Sequence, residues 1–252
     1  MERVAKRISH ELKVRLLKVV ATTELTPYMM RITLSGDELV GFTSAAPEDH
    51  VKVFFPANGQ DKPILPKLTP QGPVFSEGII MRDYTPSRYN TQTNELDLDF
   101  VLHKNGPASQ WAATAKVGQY LGIAGPRGSF IYPDFDWYLL VGDDTAIPSF
   151  GRRLREMPEG KKALVVIETE DESTHQNFET KADMEIIWVH RNGKPSDGPF
   201  LIENAIRQLK FPEGECLTII SCEKSAASQL RQVMESDFGF NKEWVKATGY
   251  WK

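Results

Sequence analysis

Only two cysteines occur in this chain of 252 residues, Cys216 and Cys222. They bracket one apolar run, "LTIIS", and so belong to one strand and its exit. That is too little for a disulfide-stapled secreted domain and too few thiolates for a usual iron–sulfur cluster. Long apolar stretches are also missing. No run approaches the roughly 18 residues of a membrane-spanning helix, and "MERVAKRISHELKV" lacks a signal-peptide core. A cytoplasmic protein with no membrane span is expected. Positive charge is not in excess: 30 Lys and Arg stand against 34 Asp and Glu, for a net charge of −4. With a pI near 5.8, the chain projects no basic field to recruit nucleic acid. Its five histidines, His10, His50, His103, His175 and His190, show no ligand spacing, so no protein metal site is expected. What is present is a globular composition, 40% hydrophobic and 25% charged with 13 Phe and 5 Trp. The length suits one large domain or two ordinary ones.

Two halves follow different patterns. From Lys13 to about Pro133, six short apolar or alternating runs are separated by Gly, Pro, Asn and Asp: "KVRLLKVV", "MMRITLSG", "DHVKVFFP", "GIIMRDYT", "ELDLDFVLH" and "GQYLGIAGP". They predict a six-stranded antiparallel β-barrel, with the Pro- and Gly-rich segment 57–78 as an inserted loop and one helix at "GPASQWAATAK". After Pro133, apolar runs ("WYLLVG", "KALVVIE", "MEIIWVH", "CLTIIS", "EWVKATGYW") are interspersed with helical stretches, the pattern of a parallel α/β sheet. The expected domains are 1–134 and 135–252. In such a sheet, ligands gather at the carboxyl ends of the strands.

Three motifs carry chemistry. In "MRDYTPSRYN", strand alternation puts Arg82 and Tyr84 on one face and Asp83 and Thr85 on the other. A guanidinium suits phosphate, and a ring suits stacking. In "HKNGPASQW", Gly106 permits a turn, Pro107 is a natural first helical residue and Ser109 adds a hydroxyl in the first turn. The helix's amino end is a ready anion site. Arg82 and Gly106–Ser109 are expected on adjacent strands, within reach of one pyrophosphate. In "VGDDTAIPSFGRRL", a strand meets a helix where a dinucleotide-binding sheet has its first turn, but Asp144 stands where G-x-G-x-x-G has its second glycine. Each motif alone also admits a structural explanation: an exposed strand, a capped helix, a barrel-packing aromatic.

Together, "RDYT", "GPAS", "GDDTAIP" and the terminal "KATGYW" resemble the siderophore-interacting protein family, flavin-dependent ferric-siderophore reductases of the ferredoxin-reductase-like superfamily. The resemblance implies an FAD-binding barrel followed by an NAD(P)-binding-like domain, with the C-terminal segment returning to the flavin. It implies that Arg82 grips the FAD phosphates, with Asp83 in the same motif, that Tyr84 packs on the flavin, and that Thr85 hydrogen-bonds to it. His103, Gly106, Pro107, Ala108 and Ser109 would hold the ribityl and phosphate portion, with Trp111 packed beneath. Asp143, Asp144, Thr145 and Ala146 match the family's strand-to-helix turn. Tyr250 and Trp251 would stack at the cofactor, while Lys52, Lys246 and Lys252 would meet the anionic ferric siderophore. The family's arginine after the "TP" pair is absent here: Ser87 takes its place and Arg88 follows.

A flavin links a two-electron hydride donor to one-electron iron. No side-chain acid or base is required, so no catalytic side chain is expected. Glu168, ending "LVVIE", would accept hydrogen bonds from a ribose diol and favour NADH, whereas the family resemblance favours NADPH. A ferredoxin-like protein donor is the third option left by the acidic "GDDT" turn. Competing readings are a general flavin or ferredoxin reductase without siderophore specificity, and a non-catalytic siderophore-binding shuttle.

Overall fold

A computed structural model describes residues 3–57, 59–103, 106–195 and 198–252. It divides into two compact units, Met1–Tyr132 and Pro133–Lys252. The first contains β1 (Lys6–Ser9), β2 (Val14–Thr26), β3 (Met29–Ser35), β4 (Val51–Phe55), β5 (Lys67–Thr69), β6 (Gly72–Val74), β7 (Ile80–Tyr84), β8 (Pro86–Asn90), β9 (Glu95–Val101), α1 (Pro107–Thr114), β10 (Tyr120–Ala124) and β11 (Gly128–Ile131). The second contains β12 (Trp137–Asp143), α2 (Ile147–Glu156), β13 (Lys162–Thr169), β14 (Asp183–His190), α3 (Phe200–Arg207), β15 (Cys216–Glu223), α4 (Lys224–Ser236) and β16 (Val245–Trp251).

The six expected strands of the first unit are all present, but the sheet is not six-stranded. Seven strands pair in the order β7-β4-β10-β2-β3-β9-β8. The extra strand is β8, which begins at Pro86; a proline lacks the N–H a central strand needs, so it is confined to an edge. The edge strands β7 and β8 are joined through Thr85 alone, so the sheet must curl to bring its ends together. Among the described residues those ends do not pair, which makes the sheet a curled, open one. Segment 57–78 is more than a loop, because β5 and β6 form a hairpin within it, and β1 pairs with β11 in a further ribbon. Alternation builds the core. Ile32 and Leu34 of β3 and Leu96, Leu98 and Phe100 of β9 are fully buried on one face. Each such side chain contributes about 1.5–3 kcal/mol by leaving water.

The second unit is a five-stranded parallel sheet in the order β14-β13-β12-β15-β16. This is the doubly wound order, with its switch point between β12 and β15. β12 is buried along its whole length, as a central parallel strand covered on both faces must be. Between β13 and β14 the described chain has only a short helical turn, Glu172–Thr174. The side chains after that turn cover β14 instead: His175 stacks on Trp188 at 4.5 Å, and its Nε2 lies 2.8 Å from that of His190. The fold thus pairs two histidines whose spacing carried no signal, although no group of three or more metal-ligating side chains forms among the described residues. Cys216 and Cys222 are free, both on β15, and burial pushes both thiols up, that of Cys216 to about 12. Neither is a thiolate nucleophile. No helix is long and apolar enough to cross a membrane.

Candidate functional site

In the first unit the expected site residues gather around α1. Their strands are not neighbours: β7 is one edge of the sheet, and β9, which leads into α1, lies next to the other. Contact comes through the helix, which packs against β3, β4, β7 and β9 and so spans both ends of the curl. Tyr84 turns into the core, its ring 4.3 Å from Phe100 and 6.3 Å from Phe55, and burial raises its phenol well above the ordinary value. Trp111 of α1 joins the same cluster, 5.8 Å from Phe55 and 6.2 Å from Phe100. Its indole Nε1 is buried and has no hydrogen-bond partner among the described residues. Leaving such a donor unmet costs about 1–3 kcal/mol, so a partner from outside the chain would relieve it.

The amino end of α1 is built for an anion. Gly106 sits at φ 116, where a Cβ would lie 2.9 Å from Cε1 of His103, so the turn requires glycine. No side chain caps the helix, Pro107 occupies its first turn and that turn contains no acid. The Ser109 hydroxyl is not spare, since it accepts from His103 N–H at 2.7 Å and donates to His103 C=O at 2.8 Å. What Ser109 and Ala108 offer a ligand is therefore backbone, not side chain. Arg82 is exposed on β7 and, among the described residues, donates only to the adjacent Met81 carbonyl, at 2.7 Å. Asp83 lies opposite Lys52 in the β4–β7 register, and their ion pair at 2.9 Å offsets the lysine's charge. Thr85 is buried between β7 and β8.

In the second unit, the β12-to-α2 turn is held from several sides. Gly142 allows close passage: a Cβ there would stand 2.2 Å from the Ser221 carbonyl oxygen and 2.7 Å from Cβ of Ala146. Asp143 accepts from Thr145 N–H at 2.9 Å and, through its other oxygen, from the Trp251 indole N–H at 2.8 Å. Burial first, and the neighbouring Asp144 second, push the Asp143 carboxyl above the ordinary range. Tyr250 donates to Ser149 Oγ of α2 at 3.3 Å. Both aromatics of the terminal strand are thus engaged with the turn of their own unit. Ala146 is fully buried, the Lys246 ammonium sits over the Trp244 ring at 5.6 Å, and Lys252 is exposed.

Arg191, one residue past β14, was not singled out from the sequence. Its guanidinium meets Asp144 at 2.9 Å, Glu168 at 3.4 Å and Glu170 at 3.5 Å. Glu168, the expected ribose acceptor, is 2% exposed and already engaged. A basic residue at the carboxyl end of a parallel strand was a visible signal, but its three partners come from the ends of β12 and β13, which only the sheet order brings beside the end of β14.

These features define a class: an FAD-binding oxidoreductase made of a curled antiparallel sheet and a doubly wound parallel sheet, the ferredoxin-reductase-like plan. A ferredoxin reductase of carbazole 1,9a-dioxygenase shares that fold at a TM-score of 0.67 and 15% identity, covering 95% of this chain and 70% of that one. The family model described as siderophore-interacting FAD-binding domain matches residues 18–130, and that described as siderophore-interacting protein matches residues 135–252. The chain belongs to the siderophore-interacting protein family. It is similar to the ferric vibriobactin reductase ViuB of Vibrio cholerae serotype O1, 32% identical over 94% of this chain and 89% of the relative. It is 29% identical to the NADPH-dependent ferric-chelate reductase of Escherichia coli K12, over 99% of this chain and 97% of that one. A siderophore utilization protein from T. fusca superposes at a TM-score of 0.93 with 34% identity, covering 99% of this chain and 96% of its own. The residues fit an FAD: an uncapped helix start free of acid, an exposed arginine on a strand packed against that helix, and an orphaned buried donor at Trp111.

Proposed function

We propose that this chain is an FAD-dependent ferric-siderophore reductase, using NADPH to reduce Fe(III) held in a siderophore and releasing Fe(II) in the cytoplasm. The observation that carries the reading is the uncapped, acid-free amino end of α1 packed against the strand that bears Arg82. Arg82 and the first-turn amides of α1 anchor the FAD diphosphate, charge against charge and N–H against oxygen. Tyr84 and Thr85 bound the flavin portion, and His103 with Gly106–Ser109 shapes the wall around it. Trp111 offers its unmet N–H there. Bound FAD supplies the conversion between a two-electron hydride donor and a one-electron metal acceptor. No side chain moves a proton in this scheme, so none is assigned a catalytic role.

The ferric chelate is the substrate. Fe(III) is hard and tightly held by catecholate or hydroxamate oxygens, whereas Fe(II) is softer, so an added electron loosens the chelate. Lys52 contributes cationic charge for the anionic chelate in the first unit, as Lys246 and Lys252 do in the second. In the second unit, Asp144, Thr145 and Ala146 shape the turn that receives the nicotinamide donor, held firm by Tyr250 and Trp251. The preference for NADH that a free Glu168 would confer loses its premise, because Arg191 occupies that carboxylate. NADPH use by the E. coli relative agrees with that.

Anaerobic mixing of the FAD-loaded protein with NADPH and a ferric siderophore, with a ferrous chelator as trap, tests the reading. Trapped Fe(II) at a rate proportional to enzyme is expected. A protein that binds its chelate yet never yields Fe(II) would be a shuttle, and one that is colourless and cannot take up FAD would end the flavin assignment.

A further inference from the structure

The histidine pair beside β14 takes no part in the proposed electron transfer. His190 is the last residue of β14, opposite Thr169 of β13 in the sheet register. His175 follows the helical turn Glu172–Thr174, and its backbone N–H donates to the Glu172 carbonyl at 3.1 Å. Asp171 fixes the start of that turn by accepting from the Ser173 N–H at 2.8 Å. The His175 ring then lies flat on Trp188, with 4.5 Å between centroids and 19° between planes, and Trp188 stacks in turn with Phe178 at 6.2 Å. The two imidazole planes differ by only 23°. Side chains 15 positions apart in the chain are thereby aimed at each other, Nε2 to Nε2 at 2.8 Å.

Two ring nitrogens this close must share something. With no metal it is a proton: one ring presents Nε2–H and the other a lone pair. A metal ion takes that place once the first ring carries its proton on Nδ1 instead, so the exchange costs no ionisation. Bonds of about 2.0–2.1 Å at tetrahedral angles set two nitrogens about 3.3 Å apart, so the gap widens by about half an ångström. His175 is exposed, and a small rotation of its ring supplies that. Burial first, and His190 second, hold His175 below the ordinary histidine pKa, which keeps it neutral and able to ligate at pH 7. Local charge favours a cation as well. Glu172 and Asp171 act on His175 from the turn before it. The charge of Arg191, next to His190, is taken up by Asp144, Glu168 and Glu170. We propose that His175 and His190 form a two-imidazole site for a borderline divalent metal ion of the Zn(II) class, with water completing its shell. Neutral nitrogen donors suit such ions, whereas hard cations such as Mg(II) take oxygen. Two protein ligands rather than four make the site exchangeable rather than structural. It lies within the second unit and stands independently of the reductase reading.

The test is a calorimetric titration of Zn(II) into the untagged, FAD-loaded protein, with Mg(II) as the control. One Zn(II) per chain should bind, and Mg(II) should not. His175→Gln and His190→Gln should each weaken Zn(II) binding at least about tenfold, since losing even an outer-shell partner costs a metal site that much. FAD content and the metal-free thermal midpoint confirm that each variant is folded. Nitrogen NMR of the imidazoles decides the matter without any variant. Zn(II) should shift the ring signals of two of the five histidines and leave those of His10, His50 and His103 in place. The absence of saturable binding at one Zn(II) per chain overturns the inference. So does Zn(II) binding that both variants retain at full affinity, or that moves only the signals of the other three histidines.

Discussion

Arg82 is the residue on which the cofactor reading leans most. It is exposed and, among the described residues, bonded only to its neighbour's carbonyl. Arg82→Ala should therefore lower FAD affinity by about tenfold or more while moving stability by less than about 0.5 kcal/mol. The ratio of flavin to protein absorbance after gel filtration, alongside urea unfolding of the apoprotein, checks both parts. Asp143 is a different case. Its pKa is raised in the folded state, so the native protein holds that proton more tightly than the unfolded chain does. Its contribution is neutral below the ordinary aspartate value of about 3.9 and becomes unfavourable as pH rises through the raised one. The Trp251 N–H limits that penalty by donating to the ionised form. Trp251→Phe should destabilise the protein by about 1–3 kcal/mol at neutral pH and by less at pH 4. Thermal midpoints of both proteins across that range measure the difference, and a pH-independent gap would refute the account.

At the scale of elements, the parallel sheet concentrates its risk at strand ends. The β12-to-α2 turn closes only because Gly142 has no Cβ to strike the Ser221 carbonyl of β15. Gly142→Ala forces two backbones apart and should cost about 1–3 kcal/mol or more, read from the urea midpoint. Arg191 holds three strand ends together electrostatically. Replacing it by leucine strands Glu168 and Asp144, whose side chains are 3% and 11% exposed. Loss of about 3–5 kcal/mol is expected at neutral pH. Urea unfolding curves of the two proteins measure it. In the antiparallel sheet, β8 escaped notice because "PSRYN" opens with a proline and carries polar residues, as edge strands do. The β1–β11 ribbon escaped because four-residue strands show too little alternation to read.

For the molecule as a whole, charge is the deciding quantity. A chain of net charge −4 repels anionic chelates and dinucleotides at long range, so affinity must come from local cations. NADPH should support a higher kcat/KM than NADH in steady-state ferric reduction, each donor assayed in parallel. A preference for NADH would mean that Glu168 is released from Arg191 to take a ribose. The two-part plan itself was open to view: alternating runs before Pro133 and apolar runs with helices after it have different periods, and period follows directly from backbone geometry. The motifs "RDYT", "GPAS" and "GDDT" were equally plain.

What the amino-acid order determined by itself was local: which segments form strands or helices, where the unpaired amides of α1 begin, and which side chains carry charge. Those depend on neighbours within a few residues. Only the tertiary structure decided which charges remain available. Asp83 offsets Lys52, Arg191 occupies Glu168, Trp251 caps Asp143, and Arg7 and Arg127 have no acid beside them among the described residues. Coulomb interactions and desolvation depend on distances through space, and those distances are set by sheet order and register rather than by position along the chain.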